Sequence, residues 1–203
     1  MAESDVQVCN LALGALNAAT INNLATDTSK EAVQCNLRYG PTRDAVLRSH
    51  PWNFAIKRVA MALDTTAPEY EFNNKFALPV DCLRALGTDK DDDTFLWKIE
   101  GRFLLCNSSA IKIKYIAQIT DPTQFDAIFT DALWTRLAAE LSLTLTGIAA
   151  IGKAFYEQYL QKLKEARGMD GAEGFGDVLF TDRWLEARLG SYEGLLDQRP
   201  FAS

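Results

Sequence analysis

A single histidine, His50, stands in a chain of 203 residues, so a histidine-rich metal site is excluded. As a catalyst it would need a nucleophile and an orienting carboxylate, and no signature supplies them. It is read instead as capping or packing at a helix end. The four cysteines (Cys9, Cys35, Cys82 and Cys106) have no CxxC spacing. They are read as reduced, buried small hydrophobes rather than zinc ligands or disulfides. No apolar run approaches the roughly 20 residues that span a bilayer. The opening Met1-Ala2-Glu3-Ser4-Asp5 is acidic and lacks a secretion pattern, which leads to the expectation of a cytoplasmic product with no membrane partner. Neither GxxxxGK[ST] nor GxGxxG after a strand occurs, so nucleotide binding has no support. Basic surplus is missing too: the net charge is −6 and the pI about 4.9. A protein that grips DNA by its phosphates needs a basic face. An acidic wall, by contrast, lets DNA slide past unheld.

What is present is periodic. Ser4 and Gln7 form a capping box before a helix from about Asp5 to Leu16, with Val8, Leu11, Ala12, Ala15 and Leu16 on one apolar face. Thr28 with Glu31 forms a second box and opens a helix to about Ser49, with Val33, Leu37, Val46 and Leu47 predicted to face inward. Gly40-Pro41 should kink this helix, and His50-Pro51 should stop it. From Trp52 to Ile119 the chain reads as mostly antiparallel strands. The clearest hairpin is 95–99, a Glu100-Gly101 turn, then 102–106. Weaker strands are 54–61, 70–76 and, after a turn at Pro79, 83–86. Residues 111–115 alternate apolar and basic, and Lys112 and Lys114 are read as guarding a sheet edge. Asp89, Asp91, Asp92 and Asp93 form an exposed acidic loop without the spacing of a calcium loop.

Helices then return. Asp121-Pro122 should cap a helix carrying Phe125, Phe129, Leu133, Leu137 and Leu141. Gly147 ends it, and a further helix runs from about Ala149 to Arg167, with Ile151, Phe155, Tyr159 and Leu163 on one side. Lys162, Lys164 and Arg167 should complement its negative end. Residues 168–203 hold six of the chain's 12 glycines, and the run 171–176 reads as a linker. Yet the segment keeps Phe180, Trp184, Leu185, Arg188, Tyr192, Leu195 and Phe201 as anchors for a partner. Fully extended, such an arm reaches on the order of 120 Å. The fold class expected is α+β: a bundle of about four helices (1–51 and 120–167), an inserted mostly antiparallel β-region (52–119) and an extended C-terminal arm (168–203). No catalytic constellation, cofactor motif or internal repeat emerges.

The order of several short blocks resembles one family. These are Val8-Cys9-Asn10-Leu11-Ala12-Leu13 with Leu16; Ala32, Cys35, Tyr39, Arg43 and Leu47; and His50-Pro51-Trp52-Asn53-Phe54-Ala55, the most distinctive. Then follow Phe76-Ala77-Leu78-Pro79-Val80-Asp81-Cys82-Leu83-Arg84; Asp126, Trp134, Ala138, Ala139 and Glu140; and Trp184-Leu185-Glu186-Ala187-Arg188. Together they cover nearly the whole chain, and the chain is similar to the tail tubular protein A-like head-to-tail adaptors of short-tailed phages. The resemblance implies a non-enzymatic virion protein of the tail, made in the host bacterial cytoplasm and needing no cofactor. It implies a twelve-subunit ring beneath the portal protein that continues the DNA channel for genome ejection and meets a nozzle protein, tail tubular protein B. Twelve copies at −6 total about −72, which suits an acidic lumen. Asp89, Asp91, Asp92 and Asp93 are then expected to face channel or nozzle, and the arm to reach portal or neighbour. The competing readings are a head-completion connector of a long-tailed phage and, from a different class, a small cytoplasmic hydrolase with dispersed carboxylates.

Overall fold

Ser4 accepts a hydrogen bond from the Gln7 amide at 3.2 Å and so starts helix α1, Asp5–Ala15. This contact, and all that follows, comes from a computed structural model that describes residues 4–90 and 95–173. The chain continues through α2 (Lys30–Ser49), then six strands: β1 (Ile56–Ala60), β2 (Asn74–Ala77), β3 (Cys82–Thr88), β4 (Trp97–Glu100), β5 (Phe103–Cys106) and β6 (Lys112–Ala117). It closes with α3 (Ala127–Thr146) and α4 (Ala149–Glu173). The fold is α+β, four helices with two small antiparallel sheets of order β1-β6-β3 and β2-β5-β4. The chain divides into two units, Met1–Arg167 and Gly168–Ser203.

Helix α2 starts one residue later than the box predicts. The Asp27 carboxylate accepts from the Ser29 amide at 2.8 Å, and this local turn sets Ser29, not Thr28, to accept from Ala32. The helix runs through Pro41 and ends where His50 turns extended before Pro51. Its buried face is Ala32, Cys35, Tyr39, Thr42, Arg43, Val46 and Leu47. Val33 and Leu37, expected inside, are exposed, and so is Leu11 on α1. The cause is a helix with two apolar stripes about 100° apart. The one that is buried can close against α1 because Tyr39 reaches the Asp5 carboxylate at 2.6 Å.

In the first sheet β6 is the middle strand, paired on both sides, so Lys112 and Lys114 do not guard an edge. They line the wetter face, while Ile113 and Tyr115 are buried. The β4–β5 register pairs Glu100 with Phe103, which puts the turn at Gly101-Arg102 rather than Glu100-Gly101. Gly101 has φ +58, a conformation that favours glycine in a two-residue turn.

Asp121 caps only a short 3-10 turn, Pro122–Gln124. The long helix α3 is capped instead by Asp126, whose carboxylate accepts from the Ile128 amide at 2.8 Å. Phe129, Leu133, Leu137 and Leu141 are fully buried as their spacing predicts, and Phe125 packs at the margin. Gly147, at φ +72, ends α3 with its amide on the Leu143 carbonyl. Helix α4 does not stop at Arg167: it passes Gly168 and Gly171 to Glu173, because a glycine weakens a helix without blocking it as proline does. Lys162, Lys164 and Arg167 are therefore not in its last turn, and residues 168–173 are helical, while the division between the two units falls at Gly168.

Trp52, just after α2, packs onto both α2 and α3. Its indole donates to the Val46 carbonyl at 3.0 Å, and its ring meets Phe129 edge-on at 5.2 Å. The buried side chains of helices and strands form one continuous cluster.

Candidate interaction surface

The second stripe of α2 is a run of apolar side chains left uncovered among the described residues. Val33, Leu37, Pro41 and Ala45 recur every four residues, so they stack along one face for about 18 Å. Val33 is 52% and Leu37 65% exposed. Open grooves flank the stripe. One, of about 610 Å³, lies between Val33 and Leu37 and the loop residues Leu24 and Ala25. The other, of about 220 Å³, is bordered by Leu37, Pro41 and Ala45 of α2 and by Arg136 and Glu140 of α3.

Polar contacts hold this surface in shape. Arg38 donates to the Gln34 side chain and, at 3.1 Å, to the Thr144 hydroxyl. That second bond brings the end of α3, with Leu143 and Ile148 exposed, alongside the first half of α2. Arg136 pairs with Glu140 one turn on, at 2.6 Å. The same guanidinium stacks over the Tyr156 ring at 4.7 Å, which fixes α4 against α3. Lys162 adds an ion pair to Asp131 at 2.8 Å.

Two further grooves lie on the sheets. A groove of about 330 Å³ has Phe72, Phe103 and Leu105 as its floor and Glu69, Tyr70, Glu71 and Glu100 on its rim. Glu71 has φ +71, a strained backbone for a non-glycine residue. A second groove is lined by Arg48, Arg84 and Arg102. Those guanidiniums are taken up by backbone oxygens: Arg48 by Leu83, Arg84 by Arg48 at 3.4 Å, and Arg102 by Pro79, Val80 and Cys82 at 2.5, 3.1 and 3.0 Å.

The blocks singled out in the sequence mostly take up structural roles. His50 is buried at the end of α2 with its ring edge-on to Trp52 at 4.9 Å. Asp81 accepts from Lys57 at 2.8 Å and from Tyr115 at 3.1 Å. All four cysteines are free and buried. Asp89 is exposed but not detached: its amide donates to the Lys112 carbonyl at 3.0 Å, and its carboxylate accepts from the Lys112 amide at 2.8 Å. Asp91, Asp92 and Asp93 lie outside the described residues, as do Phe180, Trp184, Leu185, Arg188, Tyr192, Leu195 and Phe201. Among the described residues no three His, Cys, Asp or Glu side chains converge to hold a metal ion, and no helix is long and apolar enough to cross a membrane. The sequence reading missed the α2 surface, although the four-residue spacing of Val33, Leu37, Pro41 and Ala45 carried the signal. No protein-family model matches the chain, and no curated protein matches it either.

Proposed function

We propose that this chain is a structural subunit of a phage virion, a head-to-tail adaptor that forms a ring between the portal and the tail nozzle and continues the DNA channel. The observation that carries the reading is the uncovered apolar stripe on α2. An exposed row of aliphatic side chains on a well-packed helix costs solubility unless another surface covers it. A ring built head-to-tail needs such a face on every copy, meeting a different face on the next. The ordered blocks shared with the tail tubular protein A-like adaptors support the same reading. So does the net charge of −6, which suits a wall that DNA passes without sticking.

In this reading the protein works by contact and transforms no molecule. Phe180, Trp184, Leu185, Arg188, Tyr192, Leu195 and Phe201 supply aromatic and apolar anchors to the portal or the adjacent copy. Asp89 and the three aspartates after Lys90 face the channel or the nozzle.

The test is reconstitution with portal rings of the phage that encodes the chain, imaged by negative-stain electron microscopy. The full chain is expected to cap the portal as a ring. Val33→Asp with Leu37→Asp should keep the circular dichroism spectrum and fail to close that ring. Removal of residues 174–203, a cut that spares α4, should leave a folded protein that does not join the portal. Normal assembly by both variants, or turnover of a small substrate by the purified chain, would defeat the proposal.

A further inference from the structure

The two grooves on the sheets lie on opposite faces of the second sheet and are lined by opposite charges. Alternate residues of a strand point to opposite sides, and residues paired across a ladder share a side. The register therefore puts Lys75, Glu100, Phe103 and Leu105 on one face, with the groove rimmed by Glu69, Tyr70 and Glu71. Trp97 and Ile99 of β4 belong to the other face, and they line the groove of Arg48, Arg84 and Arg102.

In each groove the charges lack a counter-charge. The three arginines bond only to backbone carbonyls. The carboxylate nearest each of them in sequence is held elsewhere: Asp44 by Arg43 at 2.9 Å, Asp81 by Lys57 at 2.8 Å, and Glu100 by Lys98 at 2.9 Å. Three cations lining one groove repel one another, and a carboxylate entering it relieves the repulsion. On the other face Glu69 and Glu71 are exposed, and neither carboxylate makes a hydrogen bond or ion pair with a described residue. The lysines of that face are taken, Lys98 by Glu100 and Lys75 by Asp64 at 3.8 Å. Tyr70, between the two glutamates, is 82% exposed.

We propose that the Glu69-Tyr70-Glu71 lip of one copy docks in the arginine groove of the next copy. The inference rests on the ring reading above and adds a charged contact to the apolar one at α2. A guanidinium fork grips a carboxylate through two parallel bonds and stacks on a tyrosine ring. A segment of acid, tyrosine and acid thus suits three arginines beside the apolar Leu78, Trp97 and Ile99. Grooves on opposite faces of one sheet cannot serve each other within a twofold pair. When the lip of one copy fills the groove of a second, the groove of the first faces away. The contact is heterologous, and each copy passes it on to a third, as a closed ring requires.

Sedimentation velocity of the full chain at low salt reads this contact without any portal. The parent is expected to associate beyond a dimer as its concentration approaches millimolar, and added salt should dissociate it. Arg84 makes a single bond, the 3.4 Å one to the Arg48 carbonyl, so Arg84→Glu disturbs the fold least. That variant, and separately Glu69→Arg with Glu71→Arg, should keep the circular dichroism spectrum and weaken association about tenfold or more. An equimolar mixture of the two variant chains should associate again, because every lip then meets a groove of opposite sign. A parent that stays monomeric, or a mixture no tighter than its components, would overturn the proposal. If Arg84→Glu does not fold, the lip variant decides alone, and unchanged association there overturns it. Rescue by mixing in a chain that never joins portal rings would support this contact while sinking the adaptor reading.

Discussion

The guanidinium of Arg102 donates to the carbonyl of Cys82 at 3.0 Å and so ties the hairpin turn of one sheet to the first residue of a strand in the other. The same side chain also reaches the carbonyls of Pro79 and Val80, and one residue thereby serves three backbone acceptors. Arg102→Ala should cost about 2 kcal/mol of unfolding free energy, the scale of hydrogen bonds from a charged donor. Arg102→Lys should recover only part of this, because an ammonium cannot fork between acceptors as a guanidinium does. Urea denaturation with an unchanged m-value is the measurement.

The caps of α2 give a sharper contrast. Ser29→Ala should destabilise by about 1 kcal/mol, since it leaves the Ala32 amide without its acceptor. Thr28→Ala, one residue earlier, should stay within about 0.5 kcal/mol. Equal losses at the two positions would return the cap to Thr28. The distinction was hidden in the sequence because Thr28 with Glu31 satisfies the capping-box pattern. The Asp27 turn that selects Ser29 is a contact between backbone and side chain, which pattern matching does not weigh.

Leu37 and Leu133 test which stripes are buried. Leu133→Ala, in the centre of α3, should cost about 2–5 kcal/mol by leaving a cavity. Leu37→Ala should cost no more than about 0.5 kcal/mol in the isolated chain. Thermal or urea unfolding of the two variants side by side decides it.

Acid should weaken the fold in a narrow window. Burial pushes the Asp81 carboxyl up, but the bonds from Lys57 and Tyr115 outweigh it, and its pKa ends below the ordinary 3.8. Asp131 follows the same logic: burial pushes it up, and Lys162 and the Trp134 indole bring it lower than 3.8. A depressed folded value means that stability is fully present above the unfolded value and drains away as pH falls through the folded one. The drop therefore lies below about pH 4. Both carboxylates are a third or more exposed, at 34% and 55%, so solvent screening limits each to well under about 1 kcal/mol. Urea midpoints between about pH 7 and about pH 3 should show a shallower acid decline in Asp81→Asn with Asp131→Asn than in the parent.

The parts legible in the sequence were those fixed by one clear period or one strong stop. The stripe Phe129, Leu133, Leu137, Leu141 has no rival on α3, and Pro51 leaves α2 no continuation. Helix α2 itself was ambiguous, because Val33 and Leu37 are as apolar as the buried Ala32 and Cys35. Only the partners, Asp5 on α1 and Thr144 on α3, choose between its two faces. The role of β6 was illegible for a related reason. Alternation marks a strand with one wet face but not its neighbours, and here the first and third strands flank the last. The arginines at 48, 84 and 102 carried no local pattern, since their acceptors lie 20 to 36 residues away.

Ile56, at the start of β1, lies directly across from Ile116, near the end of β6. Facing residues in such a ladder sit about 5 Å apart, so the chain leaves the helices and comes back to them at nearly the same spot. The strands between those two isoleucines leave from and return to one stem, with β3 held to α2 besides by the bond from Arg48 to the Leu83 carbonyl. Evolution, or an engineer, can lengthen, shorten or exchange the outer hairpin without asking any helix to move.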